Sequence, residues 1–141
     1  MEIKPKNFQS REVVSKLEFE PDIDLMVSRV NKQLDRFMSF RPDPEALANY
    51  VFAWPWEGLR FYCFPPFACI SKFLEKLSYE KTSGILITPN WPNQVWFPIN
   101  MSMALKTIDI PYREDLLLHP LLSSHQMSRR LHLQAHFIKM D

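Results

Sequence analysis

The heptapeptide Phe61-Tyr62-Cys63-Phe64-Pro65-Pro66-Phe67 is where residue type and spacing in this chain come nearest to chemistry. An apolar run stops at two prolines, and a segment of helical character follows over residues 68–77. Proline has no N–H to offer a strand ladder, so pairing must end there. Phe67 is then delivered to the carboxyl end of a strand, the place where open α/β sheets bind their ligands. A Pro-Pro-aromatic corner at that point suits stacking of a flat group on the ring. The plainer alternative is a tight strand-to-helix turn with two phenylalanines in the core.

Other side chains suggest other chemistry. Asp22, Asp24 and Asp35 invite comparison with the carboxylate cluster of a metal-dependent nuclease, although two-metal sites use three or four convergent carboxylates. Asp22 and Asp24 would share one strand face, because strand side chains alternate with a period of two; the alternative is a pair of exposed strand-start residues. His119, His125, His132 and His136 all lie near the carboxyl end, and no serine sits on a Gly-x-Ser-x-Gly elbow, so nucleophilic catalysis has little footing. His132 and His136 fall on an alternating segment, where a solvated face is expected. Read as helix, that segment would place them four apart, but only Asp141 is near enough to join a metal site. Cys63 and Cys69 have no metal-pair spacing and read as free thiols in a reducing compartment. Trp54, Trp56, Tyr62, Phe64, Phe67, Trp91 and Trp96 form an aromatic set denser than one small core requires, and base stacking is one use for such rings.

The elements must bring these groups together. At 141 residues the chain fits one domain, and 46% hydrophobic residues are enough for a core. A net charge of +1 gives no global basic field, so strong nonspecific nucleic-acid binding is not implied. Two glycines, Gly58 and Gly84, leave no glycine-rich phosphate loop, whereas twelve prolines imply many fixed corners. The first 20 residues carry eight charged side chains and no apolar block, and no apolar run approaches the ~20 residues of a membrane span, so neither a leader nor a span is expected.

Periodicity predicts an amphipathic helix over residues 6–19, closed by Pro21, and strands over 22–27 and 36–40. A short helix is expected over 44–49 with Pro44 at its first position, then a turn at 54–58 that exposes or half-buries two indoles. Strand 61–64, helix 71–77 and strand 84–88 follow; the last is continuous and apolar, which suits burial on both faces of a parallel sheet. A loop then enters a helix running to Lys106, with later strands at 108–110 and 131–138. Such alternation predicts a parallel or mostly parallel α/β sheet, with the strand ends after Leu25, Phe64 and Thr88 on one rim.

Four stretches, in order, resemble one family. Residues 21–31 (Pro-Asp-Ile-Asp-Leu-Met-Val-Ser-Arg-Val-Asn) are similar to the "P-x-[IV]-D-L-F-A-S-R-x-N" segment downstream of RNase H in DIRS-type retrotransposon polyproteins. Residues 37–46 resemble its "F-x-S-x-x-P-D-P-x-A", residues 62–70 its "Y-A-F-P-P-F-x-x-I", and residues 84–98 its "G-I-L-[IV]-x-P-x-W-P-x-Q-x-W-[FY]-P". That region lies between RNase H and a tyrosine recombinase and is similar to phage Dam-type adenine methyltransferases. The resemblance implies a truncated, three-layer, Rossmann-like sheet of methyltransferase type over residues 1–105, with 106–141 as a strand-and-turn extension.

It also implies roles. Asp24 would be the acidic residue on the S-adenosylmethionine side, Pro65 would supply a carbonyl to the site within the Pro65-Pro66 pair, and Phe67 would stack on a flipped adenine. Phe64 stands where that family needs an amide or carboxylate to accept a bond from the adenine amino group, and a phenyl ring cannot. Met26-Val27 replaces the usual Phe-Ala, and Asn49-Tyr50 stands where relatives often have Asp. The expectation is therefore a catalytically degenerate domain with S-adenosylmethionine unbound and no metal, acting as a nucleic-acid or protein contact module. The neighbouring reverse transcriptase/RNase H and recombinase domains of the parent element are implied partners, inside the cell, in cytoplasm or nucleus, with no membrane. The alternatives are an active S-adenosylmethionine-dependent adenine methyltransferase and an inactive structural remnant.

Overall fold

A computed structural model describes residues 8–27, 32–39, 41–110 and 132–140. Among them are helices α1 (Phe8–Leu17), α2 (Ile70–Leu77) and α3 (Phe97–Met103). The strands are β1 (Ile23–Leu25), β2 (Phe37–Met38), β3 (Arg60–Cys63), β4 (Ser83–Pro89), β5 (Ala104–Ile110) and β6 (Leu133–Lys139). They form one mixed sheet in the order β2-β1-β3-β4-β6-β5. The first four are parallel, β6 runs antiparallel to both β4 and β5, and five of the six strands therefore point the same way. The expected mostly parallel α/β architecture is borne out, and it is compatible with a Rossmann-like fold.

Alternation along the strands builds two cores. Ile23, Leu25, Phe61, Cys63 and Leu86 lie against Ile70, Phe73, Leu74 and Leu77 of α2. Tyr62, Phe64, Ile85, Ile87 and Ala135 lie with Val13 and Leu17 of α1 on the other side. A side chain at Gly84 would collide with the Phe61 ring, so close packing requires glycine there. Helix α1 stops at Leu17 because Glu18 adopts a left-handed conformation (φ 54°), and the Phe19 N–H reaches back to the Val14 carbonyl at 3.3 Å. That six-to-one bond, with Glu18 N–H to Ser15 O at 3.2 Å, is a Schellman closure formed without glycine.

Several expectations are corrected. No helix forms over 44–49: Asn49 Oδ1 instead accepts from Ser39 Oγ at 2.7 Å and from Asp43 N–H at 2.8 Å, and Ala48 bridges to Met38. Asparagine side chains compete in this way with the helical backbone. Helix α3 ends at Met103, and residues 104–106 already belong to β5. Trp56 is fully buried, its ring 4.8 Å from Phe73 and its indole N–H on Val51 O at 3.0 Å, while Trp54 alone of that pair is exposed. His119 and His125, residues 28–31 of the resembling segment, and Phe40 lie outside the described residues. Among those described, no helix is long and apolar enough to cross a membrane.

Candidate functional site

Because β1, β3 and β4 are parallel neighbours, their carboxyl ends share one rim. Leu25 is level with Cys63 and Cys63 with Leu86, so Phe64 and the prolines follow directly above the paired positions. The ladder stops at Cys63, Pro65 is buried, and a 3-10 turn over Phe67–Cys69, with Cys69 N–H on Pro66 O at 2.8 Å, leads into α2. The two prolines thus convert a strand into a helix within one turn. Phe67 is half-buried and meets the Trp91 ring edge-on, centroids 4.9 Å apart at 77°. Phe64 is buried below it, 6.4 Å from Phe67 between centroids, in the core on the α1 side. The corner therefore brings Phe67 and Trp91 together as a partly open aromatic pair. Tyr62, Trp56 and Trp96 are core residues.

Asp24 sits on β1 one strand away, level with Tyr62. Its side chain shares the Tyr62 face, and Tyr62 is itself tied to α1 by a 2.7 Å bond between its hydroxyl and Ser10 Oγ. Asp24 is wholly buried, which overturns the reading of an exposed strand-start residue. Its Oδ2 accepts from the backbone N–H groups of Gln33 and Leu34 (3.1 Å for Leu34), while Oδ1 has no hydrogen-bond partner. Burial pushes the Asp24 carboxyl up to about 7; the two N–H bonds and the Lys32 charge oppose that push without cancelling it. The adjacent Cys63 thiol is raised well above its ordinary value by burial and by the Asp24 charge, so it is not a nucleophile. Burial also raises the half-buried Cys69 thiol. Just past β1, Met26 is buried at φ 66°, a left-handed conformation that costs a non-glycine residue roughly 1–3 kcal/mol.

Asp22 and Asp35 do not join Asp24. Asp22 pairs with Arg36 at 3.8 Å, and Asp35, largely exposed, lies 3.9 Å from Lys32. Among the described residues no group of three or more His, Cys, Asp or Glu side chains could hold a metal ion.

His136 was expected on a solvated face and is instead buried, because β6 lies between β4 and β5. Its Nε2 bonds Thr88 Oγ1 and its Nδ1 bonds Thr107 Oγ1, both at 2.9 Å. Asn100 Nδ2 donates to Thr88 Oγ1 at 3.4 Å. With Thr88 accepting from Asn100, its own hydroxyl proton is available to Nε2, which leaves the Nδ1 proton for Thr107. Burial lowers His136 to about 4, so the ring is neutral. No motif marked this cluster, since a buried threonine-histidine-threonine relay has no sequence spacing across three strands.

No protein-family model and no curated protein matches the chain.

Proposed function

We propose that the chain is a retroelement-derived domain of adenine-methyltransferase type whose base-gripping corner keeps its shape and lacks its acceptor, and that it serves as a nucleic-acid or protein contact module. The observation carrying this reading is the corner itself. A strand ends at two prolines and presents Phe67 beside Trp91, while buried Phe64 fills the position that requires an oxygen. The mostly parallel α/β sheet, with β6 reversed between β4 and β5, is compatible with the Rossmann-like architecture this reading needs.

The residues present do not fit S-adenosylmethionine and a target adenine. Asp24 is closed off from solvent, with one oxygen committed to the backbone of residues 33 and 34. Loss of a preorganised hydrogen-bonding group at a reacting centre costs on the order of 10²–10³ in rate, and Phe64 supplies none.

The second reading, an active methyltransferase, is favoured by one observation: the unpartnered Oδ1 of Asp24 could accept a ligand hydroxyl or ammonium. Calorimetric titration separates the two. The proposal expects no heat with S-adenosylmethionine and binding of an adenine-containing oligonucleotide or a partner domain without it; saturable cofactor binding would favour the enzyme.

A further inference from the structure

We propose that the opposite end of the sheet carries a contact site for the phosphate backbone of a nucleic acid, formed by Arg60, Ser83 and Lys139. It stands apart from the methyltransferase-type reading, because it lies at the amino-terminal ends of β3 and β4, away from the Pro65–Phe67 corner. The register places the three side by side: Arg60 pairs with Ser83, and Ser83 with Lys139 of the reversed strand β6. Directly paired residues project on the same face. With strands about 4.8 Å apart, the two cationic residues flank the serine at a backbone separation of roughly 10 Å.

Arg60 is held ready. Its guanidinium lies 4.2 Å over the Phe19 ring, and its Nε–H donates to Glu20 O at 3.1 Å. Those contacts leave its terminal N–H groups available, and a pre-oriented guanidinium suits the paired oxygens of a phosphate. Lys81 and Lys139 are exposed, and neither they nor Arg60 form an ion pair among the described residues. Beside the row opens a hollow of about 570 Å³, lined by Gly58, Arg60, Lys81, Thr82 and Ser83 among others, none of them acidic. Thr82 Oγ1 is committed to Leu59 O at 2.8 Å, so the Ser83 hydroxyl is the donor free to meet a ligand. The hollow is open rather than enclosed, which suits a strand passing across it better than a sequestered small anion. With a net charge of only +1, attraction to a polyanion must come from such a local cluster.

The test uses the full chain and a single-stranded deoxythymidine decamer at low salt, read by anisotropy and by amide chemical shifts. Shifts are expected at Arg60, Ser83 and Lys139. Lys139→Gln should weaken binding by about 3–10-fold and lower the slope of log affinity against log salt by about 0.7, the value for one phosphate contact on a single strand. Its melting should stay unchanged, since Lys139 is exposed. Arg60→Lys should weaken binding while keeping the charge. Four results would overturn the proposal: no binding; binding unaffected in the Arg60→Lys/Lys139→Gln double variant; orthophosphate binding as tightly as the decamer; or shifts confined to Phe67 and Trp91. The last would leave a nucleic-acid role for the corner standing while removing this site.

Discussion

Asp24 and His136 are both ionisable, both wholly buried and both on strands of one sheet, yet their surroundings treat them in opposite ways. His136 has each ring nitrogen on a threonine hydroxyl at 2.9 Å and is stored neutral. Asp24 has one oxygen on two backbone N–H groups and the other on nothing. Both ring nitrogens of His136 are satisfied, which holds β4, β6 and β5 together there, although Asn100 Oδ1 and Gln134 Oε1 nearby have no hydrogen-bond partner. A carboxylate held with an orphan oxygen lowers stability, and such local inconsistencies cluster where a fold has, or had, a site. The left-handed Met26 two residues on belongs to the same pattern. On the proposed reading the β1-β3 rim, with Asp24 and Met26, is where a site would have stood, and the His136 cluster on the β4-β6-β5 side is structural.

The two groups also oppose each other with pH. Between 6.5 and 4 the unfolded chain protonates its histidine while folded His136 resists, so acidification removes stability, in total about 3 kcal/mol. Between 7 and 3.8 folded Asp24 takes up a proton before the unfolded chain does, so acidification restores stability, in total about 4 kcal/mol. Their contributions nearly cancel over that window.

Removing either partner should expose the other. His136→Ala is expected to be the most damaging change, losing about 3–5 kcal/mol at pH 7 through two stranded hydroxyls and a cavity. It should then recover up to about 4 kcal/mol between pH 7 and 4, followed by urea unfolding at each pH. Asp24→Asn should show the reverse, a loss of about 3 kcal/mol on acidification from pH 6.5 to 4 that the unmodified chain hides. At pH 8 the same variant should be more stable than the parent by about 1–3 kcal/mol, the relieved charge burial less the penalty for an unpaired amide; a destabilised variant would mean that the carboxylate is structural and the contrast false. Smallest, Thr107→Val should cost about 1 kcal/mol by stripping Nδ1 of its partner, with melting temperature as the readout.

The parts of this picture that sequence could reach are those with local causes. Gly84-Ile85-Leu86-Ile87-Thr88 reads as a strand buried on both sides, and β4 is one, with its burial near complete. The two prolines after Phe64 dictate the corner wherever the rest of the chain goes, and parallel connection puts three strand ends on one rim. Alternation describes only a strand's two faces, so it assigns the polar side holding His136 to water, whereas the inward Thr88 and Thr107 hydroxyls of β4 and β5 satisfy it. The partners of Asp24 are backbone N–H groups nine and ten residues away, which have no residue signature at all. Pro44 marked a good helix start, but the Asn49 side chain closed that segment as a turn.

Transfer of a radiolabelled methyl group from S-adenosylmethionine to an adenine-containing duplex tests the central claim most directly. If Phe64 takes the acceptor position, as proposed, incorporation should stay at the no-protein level. Incorporation that rises with protein concentration and disappears in Asp24→Asn or Phe67→Ala would contradict a degenerate corner and establish a working enzyme.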